Sequence, residues 1–450
     1  MMRWLWRTLK IVLVGGLLLV LAAGGAAFWF LWASAEVGAG YCAKRVASGV
    51  FVAGRTPESV AEQELGFLPL FRYEVDETAK TVTGWVFPKH KKTAVYREGL
   101  GVALAHDGGV AALQAQARPG LIPDLSHLAD QPWPMGDAPS DQPKPTDYNA
   151  DILEAAVDGM FAEPRPYRLR RTRAVIVLYR GAIVAERYAD GFGPEQRFPA
   201  WSMTKSIIHA LYGIATKQGK IDIHAPAPVP RWQRDGDPRA AITIDALLRM
   251  SSGLDFGEYD FTPPADLTSM LFLSPGAWDF AMDLPLAHPP DTVWAYASGN
   301  TNILSWILRR AYGDDTYYAL PYEELFRKIG MRSAYLEADA TGTFVGSSFC
   351  YATARDYARF GLLYMRDGVW DGARILPEGW VEYARTPTPT APTREYGAHW
   401  WQPSVEERAA AAARGVPLPD DTFNASGFEG QKIVVIPSRA LVIVRLGLQY

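Results

Sequence analysis

Three short stretches hold residue types able to do chemistry. The first is Ser202-Met203-Thr204-Lys205, the one Ser-x-x-Lys in the chain. A serine hydroxyl is a poor nucleophile until a base takes its proton. A neutral lysine can serve, provided burial lowers its pKa from the usual value of about 10.4. Apolar residues follow at Ile207, Ile208, Leu211, Ile214 and Ala215 with a helical period, and Gly219 is a plausible terminator. Ser202 therefore falls at a helix N-terminus, where free N–H groups favour a developing oxyanion, and Lys205 falls one turn on along the same face. Read alone, the same residues fit a serine N-cap and a solvated lysine.

The second stretch is Tyr296-Ala297-Ser298, in a loop just before the apolar run Ile303 to Leu308. A phenol becomes a useful base only beside a cation, and Lys205 could supply one, making a coupled pair. A loop tyrosine is otherwise structural. The third is Ala425-Ser426-Gly427-Phe428-Glu429-Gly430-Gln431. A glycine there permits close backbone approach by a ligand, or marks an ordinary turn or bulge.

The elements that must position these residues are legible around them. Asp151 to Phe161 has helical periodicity, Ala174 to Tyr179 is a buried-strand run, and Ile183 to Tyr188 returns after a tight turn at Arg180-Gly181. Lys432 to Ile436 and Leu441 to Leu446 repeat that pattern around Pro437-Ser438-Arg439. Strands at both ends with helices between predict an α/β (α+β) domain over 151–450: an antiparallel sheet flanked by helices, with a helical insert. Upstream, Thr81 to Phe87 and Thr93 to Tyr96 alternate in part, so 36–130 reads as a mixed, β-rich extension. Five prolines from Pro132 to Pro145 make 131–150 a linker.

Residues 1–35 read as a membrane element. Arg3, Arg7 and Lys10 precede an uncharged run from Ile11 to Trp32, long enough for the roughly 20 apolar residues a bilayer core requires. The positive flank puts the N-terminus in the cytoplasm and the rest on the extracytoplasmic, periplasmic side. The rival is a cleaved signal peptide, because Ala33-Ser34-Ala35 resembles a cleavage site.

Composition narrows the classes. A net charge of −4 implies no broad cationic face for nucleic acid. Two cysteines, Cys42 and Cys350, build no thiolate metal site, though they could form one disulfide. Seven scattered histidines show no zinc-hydrolase spacing, and no Gly-x-Ser-x-Gly elbow occurs. No metal or organic cofactor is implied. The 15 Trp and 21 Tyr fit buried ring packing, an aromatic-lined cleft, or both.

Together the three stretches resemble the penicillin-recognising serine hydrolases: class C β-lactamases, D-Ala-D-Ala peptidases, family VIII esterases and 6-aminohexanoate-dimer hydrolase. The shared order is Ser-x-x-Lys, Tyr-x-Ser/Asn, then a strand like Lys/His-Thr/Ser-Gly. Ile242 to Leu254 is similar to a family phrase ending in Ser-Gly-Leu, and Gly299-Asn300-Thr301-Asn302 is also family-like. The resemblance covers about 151–450. It implies an acyl-enzyme on Ser202, with Lys205 and Tyr296 moving protons and Ser298 orienting them. The oxyanion hole would be the N–H groups of Ser202 and Phe428, with Ser426 and Gly427 in the third motif and Tyr259 as a substrate contact. It also implies a small ester, amide or peptide-like substrate.

Two departures stand out. Ala425 replaces the cation that holds a substrate carboxylate in β-lactamases and D-Ala-D-Ala peptidases, so weak or no β-lactam hydrolysis is expected. The family's usual final helix is not evident after Leu446, so either the N-terminal region covers that sheet face or the chain is shortened. The expectation is a membrane-anchored ester or amide hydrolase. A D-Ala-D-Ala peptidase or β-lactamase, or an inactive binding module, is the alternative.

Overall fold

The computed structural model describes residues 2–66, 70–106, 109–140, 143–163, 165, 169–259 and 265–449. The chain begins with helix α1 (Met2–Phe51) and a meander of four antiparallel strands: β1 (Arg72–Asp76), β2 (Thr81–Trp85), β3 (Lys91–Arg97) and β4 (Gly101–Leu104). Helix α2 (Ala150–Phe161) precedes the hairpin β5 (Thr172–Tyr179) and β6 (Ala182–Tyr188). The larger helices that follow are α3 (Met203–Lys217), α4 (Ser298–Tyr312) and α5 (Ala354–Met365), before β7 (Phe423–Gly427), β8 (Gln431–Ile436) and β9 (Leu441–Gly447).

The main sheet has the order β7-β8-β9-β5-β6, antiparallel throughout. Strand β5 is buried from Thr172 to Leu178 because helices cover both faces, which is why its sequence is a continuous apolar run rather than an alternation. On one face Val157 of α2 packs against Val175 and Val177. Helix α2 thus lies over a sheet face whose cover the sequence left open. On the other face lies α5, at a distance only glycine allows. A Cβ on Gly361 would sit 2.6 Å from Val442 Cγ1.

Helix α3 is buried all round from Met203 to Ala215, not along one stripe. It is the central helix between the sheet and α4, so the polar Thr204, Lys205, Ser206 and His209 are buried as well and each must find a partner.

Helix α1 does not stop near residue 35. Its outer half exposes Val12, Leu13, Leu17 to Leu21 and Phe28 to Phe30, whereas Ala35, Ala39, Cys42, Ala43, Val46 and Ala47 are buried. The inner half lies on the meander, where Gly84 admits it: a Cβ there would be 2.6 Å from Ala43 N. It shares one hydrophobic core with α3 and the main sheet. The proline-rich stretch is also tied down. Trp133 Nε1 donates to Gly181 O at 2.7 Å, and Arg359 pairs with Asp137 at 2.7 Å. Cys42 and Cys350 are buried free thiols, so the disulfide is not formed, and burial pushes the Cys42 thiol up to about 12.

Candidate active site

Ser202 occupies the N-cap position of α3, yet its hydroxyl makes no capping hydrogen bond. It accepts instead from Lys205 Nζ at 3.0 Å. The lysine reaches two further oxygens, Ser298 Oγ and the Ser347 carbonyl, each at 3.0 Å. Helix α4 begins at Ser298, so the two helices meet N-terminus to N-terminus around this amine. Burial of Lys205 lowers its pKa to about 8, against the opposing pull of Glu258. The neutral amine is thereby brought closer to neutral pH than for a free lysine.

Tyr296 is brought to the same point. It lines the same cavity as Ser202, and Lys205 Nζ lies 5.0 Å from its ring centroid. Sequence raised the possibility that Lys205 lowers this phenol's pKa; the surroundings act in the other direction. Burial, Tyr396 and Glu258 hold the Tyr296 pKa well above its ordinary value. Its ring is packed against Tyr396 and Trp401, with centroids 5.6 and 5.1 Å away. A neutral phenol in that box can donate a proton.

The third stretch also converges here. Gly427 ends β7, and a Cβ on it would be 2.1 Å from Ala200 O. The close approach read from this glycine is therefore made by the backbone beside Ser202. Phe428 follows, its ring against Trp201 at 5.5 Å. Ser426 Oγ donates to Asn424 Oδ1 at 2.7 Å, and Ala425 is buried. Tyr259 is exposed and stacks on Tyr296 at 6.4 Å.

Between these groups opens a cleft of about 550 Å³. Ser202, Tyr259, Tyr296, Ser298, Ser426, Gly427 and Phe428 all line it, so every site residue expected from sequence except Lys205 reaches the cavity, and Lys205 lies beneath Ser202. The remaining walls are mostly apolar, with Tyr41, Leu267, Leu271, Phe272 and Trp401. Among the described residues, no group of three or more His, Cys, Asp or Glu has a metal-binding arrangement.

A beta-lactamase family model matches residues 162–447, which include all of these groups except Tyr41. The chain belongs to the beta-lactamase family of serine hydrolases. The 6-aminohexanoate-dimer hydrolase of Paenarthrobacter ureafaciens is 28% identical over 300 residues, covering 61% of this chain and 72% of that protein. A putative 6-aminohexanoate-dimer hydrolase from Bacillus anthracis has a similar structure, with TM-score 0.53 and 24% identity over 66% of this chain and 76% of its own. A family VIII carboxylesterase structure matches at TM-score 0.50 and 15% identity, covering 67% and 90% of the two chains.

Within this beta-lactamase-family site, sequence reasoning missed Glu258. Its carboxylate accepts from Ser298 N at 2.7 Å and from Ser298 Oγ at 2.8 Å. It thereby orients the hydroxyl that Lys205 touches and places the one carboxylate among the lining residues. Ser347 was missed as well, because a backbone acceptor leaves no mark on residue type. His399 is excluded as a base: both ring nitrogens are engaged, and burial and Lys205 push its pKa down to about 3.

Proposed function

We propose that the protein is a membrane-anchored hydrolase of neutral, apolar esters or amides, acting through an acyl-enzyme on Ser202. The observation that carries this reading is the buried Lys205 amine 3.0 Å from a serine hydroxyl that opens onto an apolar cleft. Neutral Lys205 takes the Ser202 proton as Oγ attacks the carbonyl carbon. The N–H groups of Ser202 and Phe428 receive the oxyanion. The proton leaves the lysine through the Tyr296 hydroxyl, which donates to the departing alcohol or amine as the acyl–oxygen or acyl–nitrogen bond breaks. Water then attacks the ester on Ser202, with the same groups releasing the acid and restoring the serine.

The substrate class follows from charge. No Lys or Arg lines the cleft among the described residues, whereas the Glu258 carboxyl does. An anionic acyl donor, such as a β-lactam or a peptide ending in D-Ala, meets no cation in place of Ala425.

Anchoring is supported by the outer half of α1. Ile11 to Trp32 spans about 33 Å as a helix, enough for a bilayer core. Its large apolar side chains from Val12 to Phe30 are exposed, and Arg3, Arg7 and Lys10 before the run favour a catalytic domain outside the cytoplasmic membrane. The cleavage-like Ala33-Ser34-Ala35 lies within the unbroken helix, at the point where Ala35 becomes buried, which favours a retained anchor.

The test is turnover of p-nitrophenyl esters and of a chromogenic cephalosporin by the wild type and Ser202→Ala. Ester turnover that disappears in the variant, with the cephalosporin left nearly untouched, supports the reading. Ester turnover unaffected by the substitution rejects the nucleophile, and no turnover by folded protein points to a binding module on the same fold.

A further inference from the structure

Helix α1 lies outside residues 162–447 matched by the family model, yet it reaches the nucleophile's surroundings. Tyr41 lines the cleft, and one turn further on Arg45 is buried. The Arg45 guanidinium sits 4.8 Å from the Trp201 ring centroid, and its Nη2 is 3.4 Å from Glu429 Oε2. That same oxygen accepts the Trp201 indole N–H at 2.8 Å. Trp201 immediately precedes Ser202, and Glu429 immediately follows Phe428. Both have positive φ, 49° and 64°, a region that non-glycine residues occupy only when their surroundings hold them there.

One buried carboxylate oxygen therefore joins the two strained residues that flank the two N–H groups of the oxyanion hole, and a cation from α1 completes the junction. The same Nη2 also pairs with Glu64, which in turn pairs with Arg55 and Arg173. The backbone of the 428–430 turn has separate supports. Arg445 Nη1 donates to Gly430 O at 2.8 Å, and Gln431 Nε2 donates to Phe428 O at 3.3 Å. Loss of the Arg45 contact thus changes the aim of the turn without removing its attachment to the sheet.

We infer that Arg45 is a positioning residue for the oxyanion hole, acting through Glu429 and Trp201 to hold the N–H groups of Ser202 and Phe428 at their working separation. This rests on Ser202 being the nucleophile. The anchor helix is then a working part of the active site as well as a tether, and a catalytic domain cut away from it loses rate as well as location.

The experiment uses the full chain in detergent micelles with a p-nitrophenyl ester, with active sites titrated by a fluorophosphonate. Variants are Arg45→Gln, Arg45→Lys, Glu429→Gln, and Ser202→Ala as the control on the underlying reading. The expected result for Arg45→Gln and Glu429→Gln is kcat per titrated site down at least tenfold with KM within threefold, because the oxyanion contact forms in the transition state. Arg45→Lys recovers part of the loss, and the pH midpoint of activity stays where Lys205 sets it. Glu429→Gln is nearly isosteric, so it decides the matter should Arg45→Gln not fold. Wild-type kcat per titrated site in Glu429→Gln, or equal changes in kcat and KM, overturns the inference. Activity surviving in Ser202→Ala overturns the nucleophile assignment instead, so the two failures are distinguishable.

Discussion

Lys44 and Lys205 sit in different regions of the molecule and look alike by burial. Both are enclosed, and burial pulls each ammonium down to about 8. Each also lies over an aromatic ring, Lys44 Nζ 4.2 Å from Phe349 and Lys205 Nζ 5.0 Å from Tyr296. Their partners differ. Lys44 forms an ion pair with buried Glu337 and donates to Ser48 Oγ at 2.9 Å, and Glu337 also accepts from Val102 N at 2.8 Å. Lys205 touches two serine hydroxyls and a carbonyl, with the nearest carboxylate, Glu258, one serine removed. Desolvation alone does not make a lysine a base. A proton facing a carboxylate is held in place, whereas an amine facing a hydroxyl has a proton to collect.

Lys205→Met is expected to lower kcat by about 10³- to 10⁴-fold in well-folded protein, measured with p-nitrophenyl esters and a melting curve. Lys44→Met should do the reverse: a loss of about 3–5 kcal/mol of stability, because Glu337 is left buried and unpaired. Activity per titrated site should persist, checked by denaturant unfolding beside active-site titration. Equal activity losses in the two variants would dissolve the distinction.

The pH dependence follows from the direction of the Lys205 shift. A base with its pKa lowered to about 8 is mostly protonated at pH 7 and mostly neutral above 8. Thus kcat/KM should rise about tenfold per pH unit below pH 8 and level off above it, as a stopped-flow or plate-reader profile would show. Glu258→Gln keeps an acceptor for Ser298 but removes the charge that opposes the shift. It should cost about tenfold or less and move that midpoint to lower pH.

What the sequence revealed was local. The Ser202–Lys205 spacing, the start of α3 and the two hairpins of the main sheet are set by neighbours within a few residues, and they stand where the periodicity put them. The missed features depend on distant partners. Glu258 gave no signal beyond an acidic residue beside Tyr259, because its role needs Ser298 from another element. The anchor looked finished at Ala35 because hydropathy falls and small residues begin. Those small residues instead let α1 pack closely, since a Cβ on Gly40 would meet Phe272 O at 2.7 Å. Helix α3 seemed amphipathic because the polar residues around its apolar stripe find buried partners only in the folded chain. The direction of the Tyr296 pKa shift was not legible because the aromatic box around it is assembled from three separate segments.

The most direct test of the account is to label the intact protein with a fluorophosphonate and map the modified peptide by mass spectrometry, beside Lys205→Met. A single adduct on Ser202 is expected, formed orders of magnitude more slowly in the variant. An adduct on another residue, or labelling of Ser202 at an unchanged rate without Lys205, would contradict it.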